Sequence, residues 1–154
     1  AEDLAFSEFK IGYHVALLTF FGIGFAPVMG GAADKIGRRP VIFVGLSAIA
    51  VLVFSLLVFS DGISFTITLA LLGLFLYSVN PIMLAAALDA TKKGTEGSAT
   101  ALVFTGGAIF GSLSPIIAGW LRQNYGMDSV FYFSAIIVTA TAVAALFVPM
   151  KRAT

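Results

Sequence analysis

The stretch GGAADKIGRRP, Gly30 to Pro40, places four charges (Asp34, Lys35, Arg38 and Arg39) within six residues, between two long apolar runs. The chemistry open to such a group is electrostatic. Asp34 falls at the end of an apolar helix whose C-terminal dipole is negative, so its carboxylate needs compensation from Arg38, from Arg39 or from the positive N-terminus of another helix. Gly30 permits close helix approach, and Gly37 permits a tight turn between the charges. Lysine and arginine also resist translocation and so fix a loop in the cytoplasm. That role accounts for Lys35, Arg38 and Arg39 but leaves the aspartate and the two glycines without a reason.

Little else in the chain carries reactive chemistry. It has one histidine and no cysteine, which removes disulfides, thiolate chemistry and histidine or cysteine metal clusters, so no metal and no cofactor is expected. Ser112 and Ser114 have no histidine near them in sequence, and the glycines of TGGAIFG lie mid-span, where no phosphate loop belongs. The reading is therefore not an enzyme. A net charge of +1 gives no footprint for nucleic acid. His14 reads as an interfacial residue rather than a proton carrier, and no carboxylate within a span stands out as a proton site. Asp89 and Glu96 flank Lys92 and Lys93, which points to local pairing.

These residues must be positioned by membrane helices. Hydrophobic residues make up 59% of the 154 and charged residues 11%, far from the balance of a soluble domain. The fold class expected is all-α, a polytopic membrane helix bundle with five transmembrane helices at approximately 11–33, 40–60, 63–90, 97–121 and 129–149. Each is long enough to cross a hydrocarbon layer of roughly 30 Å. Turn signals lie at Asp61-Gly62, at KKGTEG and at RQNYGMD. Taken alternately, one set of loops holds Lys35, Arg38, Arg39, Lys92, Lys93, Lys151 and Arg152, and the other holds Lys10 and Arg122. The N-terminus is thus expected outside and the C-terminus in the cytoplasm, with at least one helix preceding the segment.

Two further features sit inside the spans. Small residues at helical spacing, Gly22, Ala26 and Gly30 in the first span and Gly107, Gly111, Pro115 and Gly119 in the fourth, form strips for helix packing, or for bending during a conformational cycle. Asn80 and Pro81 form a polar break deep in the third span, where the proline leaves the carbonyl of Tyr77 without its usual partner. This is read as a structural kink or, alternatively, as a substrate-cavity position that Tyr77 joins.

The pattern Gly-x-x-x-Asp-(Arg/Lys)-x-Gly-Arg-(Arg/Lys), met by Gly30, Asp34, Lys35, Gly37, Arg38 and Arg39, resembles the cytoplasmic loop signature of the major facilitator superfamily. GGAIFGSLSPIIAGWL followed by NYGMDSVFYFSA looks like the glycine-proline helix, short external turn and final helix that close a six-helix half of that fold. The third span lacks the arginine common in the fourth helix of the N-terminal half, and the chain stops on MKRAT as a C-terminus would. Residues 1–154 therefore resemble a partial C-terminal transmembrane domain, helices eight to twelve. The Gly107, Gly111, Pro115, Gly119 series partly resembles the antiporter motif of the fifth helix, but Ser114-Pro115 stands where that motif has Gly-Pro.

The resemblance implies a secondary active transporter of the plasma (inner) membrane, a symporter or antiporter that moves a small solute by alternating access. Its partners would be membrane lipid, the small-molecule substrate and the missing N-terminal half of the same transporter. It further implies that the signature is a charge latch, holding the two halves together on the cytoplasmic side in the outward-open state. A non-transporting membrane subunit or scaffold is the alternative.

Overall fold

The structure, a computed structural model, describes residues 8–59 and 62–148. Asp61 of the expected Asp-Gly turn and the terminal Lys151 and Arg152 lie outside them. The described residues form five helices, α1 (Glu8–Ile36), α2 (Arg38–Val58), α3 (Gly62–Asp89), α4 (Glu96–Tyr125) and α5 (Met127–Phe147). All five are long and apolar enough to cross a membrane. Each corresponds to one expected span, with α4 running on to Tyr125 rather than ending at Leu121. Helices are the form that lets an unbroken apolar segment satisfy its own backbone in hydrocarbon. Pro27, Pro81 and Pro115 each withdraw one N–H from that ladder, yet the helices continue through them.

Two of the connections shrink to one residue. Gly37 alone joins α1 to α2 with φ 97° and ψ 151°, and Gly126 alone joins α4 to α5 with φ 85°. Glycine reaches this left-handed region without a steric penalty. The charges expected in a loop after Ala33 are therefore at helix ends. Asp34 and Lys35 occupy the last turn of α1, and Arg38 and Arg39 occupy the first turn of α2.

Packing begins with α2. Its buried residues Ile42, Leu46, Ile49, Val53 and Leu56 recur at alternating spacings of four and three, which lays them in one stripe. That stripe meets α3 on one side and α5 on the other, where the buried residues are Ala135, Ala142 and Ala145. Small side chains on α5 allow close approach, which is how helices gain contact energy in lipid. The most extensive contact is between α1 and α3. A Cβ added at Gly73 would overlap the backbone of Leu18, and one at Gly22 would meet the Gly73 carbonyl and Tyr77. Gly45 of α2 faces Val79 of α3 in the same way.

The outer surface is apolar rather than polar. Phe20, Leu102 and Phe110 are each about three-quarters exposed, the arrangement expected of a surface that meets lipid. Among the described residues, α4 has no buried position and touches only α3 and α5.

The glycine contacts make a direct prediction about stability. Gly73→Ala forces α1 and α3 apart at Leu18 and is expected to cost about 1–3 kcal/mol. Gly24→Ala, with open space where its Cβ would go, is expected to be neutral or to stabilise by up to about 1 kcal/mol through helix propensity. Thermal unfolding in detergent, followed by far-ultraviolet circular dichroism, checks this. A melting temperature for Gly73→Ala at or above that of Gly24→Ala would contradict the packing.

Candidate functional site

The fold gathers one set of charges at one end of the bundle. The α1–α2 joint and the α3–α4 connection lie together there, because the Arg38 guanidinium reaches from the start of α2 to the end of α3. It makes an ion pair with the Asp89 carboxylate and donates a hydrogen bond to the Ala85 carbonyl oxygen. Both partners sit at the C-terminal end of α3, where the helix dipole is negative and a carboxylate is unfavourable without a cation. Asp89 is thus paired across helices, not locally with Lys92 and Lys93 as expected. Glu96 turns back to its own loop, accepting a hydrogen bond of 2.8 Å from the Gly94 amide.

Arg38 being so engaged, Asp34 is left to other partners. Its carboxylate is exposed, and among the described residues it makes no ion pair. It lines a groove of about 380 Å³ between α1 and α3, together with Gly30, Ala33 and Arg38 from the signature side and Pro81, Ile82 and Ala85 from α3. A Cβ added at Gly30 would meet nothing within 4 Å, so this glycine opens onto the groove rather than packing against a neighbour. Pro27 of α1 lines the groove as well. Lys35 and Arg39 are exposed at the same end, and Gly37 supplies the turn that sets Arg38 beside α3.

Pro81 also belongs to a second groove, of about 590 Å³, between α3 and α4. Asn80, Phe104 and Gly107 line it with Pro81. The structure therefore brings Asn80, Pro81 and Gly107 together, and puts Pro81 between that groove and the one holding Asp34. Asn80 returns its amide to the Leu76 carbonyl at 3.1 Å, so the polar group is satisfied within its own helix. Tyr77 is set apart from both grooves. It lies over Gly22, and its hydroxyl accepts a hydrogen bond of 3.4 Å from Thr19. Gly111, Pro115 and Gly119 remain on α4, with open space where a Cβ would go on the two glycines.

At the opposite end His14 is buried between α1 and α3. Its Nε2 lies 3.1 Å from the Thr66 hydroxyl, and its ring is flanked by Tyr13 and Phe65 at centroid distances of 5.5 Å. It joins α1 to α3 in this structure.

Sequence reasoning missed two participants, Pro27 and Gly73, and the partner of a third, Asp89. Asp89 carried the same signal as Asp34, an acid at the unfavourable end of a helix. Pro27 lies beside Ala26 in the small-residue strip of α1. Gly73 stands alone in LLGLF and offers no spacing to read.

The family model for the Major Facilitator Superfamily matches residues 1–154. Among individual relatives, a probable sulfoacetate transporter of Cupriavidus necator is 29% identical over 115 residues, 74% of this chain and 26% of that protein. The multidrug resistance protein MdtG of Rahnella sp. is 32% identical over 142 residues, 82% of this chain and 32% of that protein. MdtG of Serratia proteamaculans is 30% identical over 129 residues, 80% of this chain and 30% of that protein. No solved structure matches the chain. The matched part is about a quarter to a third of each relative's length. Five membrane-length helices, the signature at one end of them and a family match along the whole sequence lead to one conclusion: the chain is an integral membrane protein segment belonging to the Major Facilitator Superfamily.

Proposed function

We propose that this chain is part of the C-terminal half of a secondary transporter, corresponding to helices eight to twelve, and that it moves a small organic solute by alternating access rather than catalysing a reaction. The single observation that carries this is the division of labour in the signature. Arg38 is committed within the segment, to Asp89 and Ala85. Asp34 faces an open groove with its charge uncompensated by an ion pair among the described residues. An exposed carboxylate at the negative end of its own helix gains most from the positive N-terminus of another helix. In a two-halved carrier that helix belongs to the other half, and the contact exists in one state of the cycle only. The relatives' names, one a probable sulfoacetate transporter and one a multidrug resistance protein, support a small organic solute as cargo.

On this reading the loops holding Lys35, Arg39, Lys92 and Lys93 face the cytoplasm. Arg38 and Asp89 form a brace that keeps α2 and α3 in register at the gate. Asn80, Pro81 and Gly107 border the groove from which the solute path is built. Gly107, Gly111 and Gly119 of α4, with open space where a Cβ would go, then serve with Pro115 as a contact or bending strip for elements outside this segment.

Two measurements test the reading. In proteoliposomes holding the full-length protein, Asp34→Asn removes a contact worth about 1 kcal/mol in one state. The ratio of outward-open to inward-open protein, read from spin-label distances, is expected to shift about fivefold, and transport to slow with it. Unchanged rates and populations would remove the latch. The brace is tested by a double-mutant thermal cycle on Arg38 and Asp89. Their side chains are 24% and 44% exposed, so solvent screens the pair and the coupling expected is about 0.5–1 kcal/mol. Arg38→Ala should cost more than Asp89→Ala, because it also strips the donor from the Ala85 carbonyl; equal costs with zero coupling would refute the brace.

A further inference from the structure

An apolar cleft of about 260 Å³ opens at the signature end of the bundle, between α2, α3 and α5. Its floor is Ile42 and Leu46 of α2, and its walls are mostly alanine, Ala86 and Ala87 of α3 and Ala144 and Ala145 of α5, with Met83 and Val148 also lining it. The cleft exists because both facing helices carry methyl groups where larger side chains would have closed it. Thr141 is the one lining residue with a polar side-chain atom, and its hydroxyl already donates to the Ile137 carbonyl at 2.8 Å. The walls therefore offer no hydrogen bond to a polar ligand, and the space favours a hydrocarbon chain. It is not sealed in the core. Ala144 on one wall and Ala90 at the end of α3 are exposed, so the cleft is continuous with the lipid-facing surface.

Cations follow or precede its lining residues closely in sequence, at the same end of the bundle. Arg39 is three residues before Ile42 and seven before Leu46, which places it on the same stripe of α2 at the membrane surface. Lys92 and Lys93 follow Ala90 by two and three residues, and both are exposed. The acids nearby are already used: Asp89 is paired with Arg38, and Glu96 accepts from the Gly94 amide. Asp34 faces the other groove, on α1. An apolar slot at an end of the bundle where exposed cations outnumber unpaired acids is complementary to one class of molecule.

We infer that this cleft binds an anionic diacyl phospholipid of the adjoining leaflet, one acyl chain between the alanines of α3 and α5 and the phosphate held by Arg39, Lys92 and Lys93. The inference requires only that this end of the bundle meet a membrane surface, and it stands or falls independently of the latch at Asp34.

Native mass spectrometry of the full-length protein, titrated with dioleoylphosphatidylglycerol or dioleoylphosphatidylcholine, tests it. Phosphatidylglycerol is expected to bind more tightly. Arg39→Gln, Lys92→Gln and Lys93→Gln should each weaken it about fivefold while leaving phosphatidylcholine unchanged, and Arg39→Lys should retain the affinity. Ala144→Phe, a filling substitution at an exposed wall position, should weaken both lipids about fivefold or more. Ala144→Leu serves the same purpose if the phenylalanine variant does not fold. Equal affinity for the two lipids, or glutamine variants that bind as wild type, would overturn the anionic site. Displacement of the lipid by an equal concentration of glycerol phosphate would show a phosphate site without a chain site, and a wild-type response of both Ala144 variants would show that another element covers the cleft; either overturns the inference.

Discussion

The absence of a Cβ at Gly22 and Gly73 is the constraint from which the rest of the bundle follows. Helices in lipid gain nothing from the hydrophobic effect when they associate, so contact energy depends on how closely their backbones approach. With glycine on both sides of the crossing, α1 and α3 come near enough for backbone to touch backbone. Polar pairs then span the two helices along their length. His14 meets Thr66 at one end, Thr19 meets Tyr77 further along, and the fully buried Ser78 lies with its hydroxyl 3.5 Å from the Gly22 carbonyl. That hydroxyl also donates to the Leu74 carbonyl at 2.6 Å, and among the described residues no buried side-chain polar atom is left unsatisfied. Past the crossing, Pro27 and Pro81 face the groove that contains Asp34.

The five helices and the charged end were legible in the sequence because they rest on length and on the cost of moving charge through hydrocarbon. What the glycines would meet was not legible. Gly22, Gly30, Gly107, Gly111 and Gly119 look alike in sequence, each on a strip of small residues, yet only Gly22 among them is pressed against another helix. Spacing describes a strip on its own helix and carries no information about what lies on it. Gly73 and Gly45, which do make close contacts, have no strip at all. A soluble helix would have betrayed its inner face by its polar residues, whereas α3 is apolar on every side, so its buried Leu72, Val79 and Ile82 could not be told from its exposed Ile67, Leu71 and Leu76.

The charges of the candidate site could be located in the sequence, but their pairing could not. Gly30, Asp34, Gly37 and Arg38 do come together, and Gly37 has the backbone conformation that its place between two helix ends required. The partner of Arg38 could not be read, because Asp34, four residues before it, competes in sequence with Asp89, fifty-one residues after it. The fold decides between them. A one-residue joint with φ 97° turns α2 back along the bundle so that Arg38 arrives beside the last turn of α3, where a carboxylate and a backbone carbonyl lie at the negative end of a dipole. The same turn leaves Asp34 on the far side of Gly37, facing outward.

α3 consequently serves several structures at once. It forms the tight crossing with α1, supplies both partners of Arg38, walls the groove at Asp34 through Pro81, and walls the α3–α4 groove through Asn80 and the same proline. Proline at 81 matters here for what it does to the backbone: it frees the Tyr77 carbonyl one turn back, on the helix that packs over Gly22. A helix with one donor missing deforms there more readily than elsewhere. Under the proposed transport cycle, strain applied at the gate through Arg38 and Asp89 would therefore be taken up near Pro81, between the two grooves, rather than at the Gly22–Gly73 crossing. The crossing has no slack, since any slide of α1 along α3 drives Leu18 against Tyr77 or Gly22 against a side chain. The close contact and the weakened turn divide the helix into a fixed portion and a yielding one, and it is the yielding portion that borders both the signature and the groove toward α4.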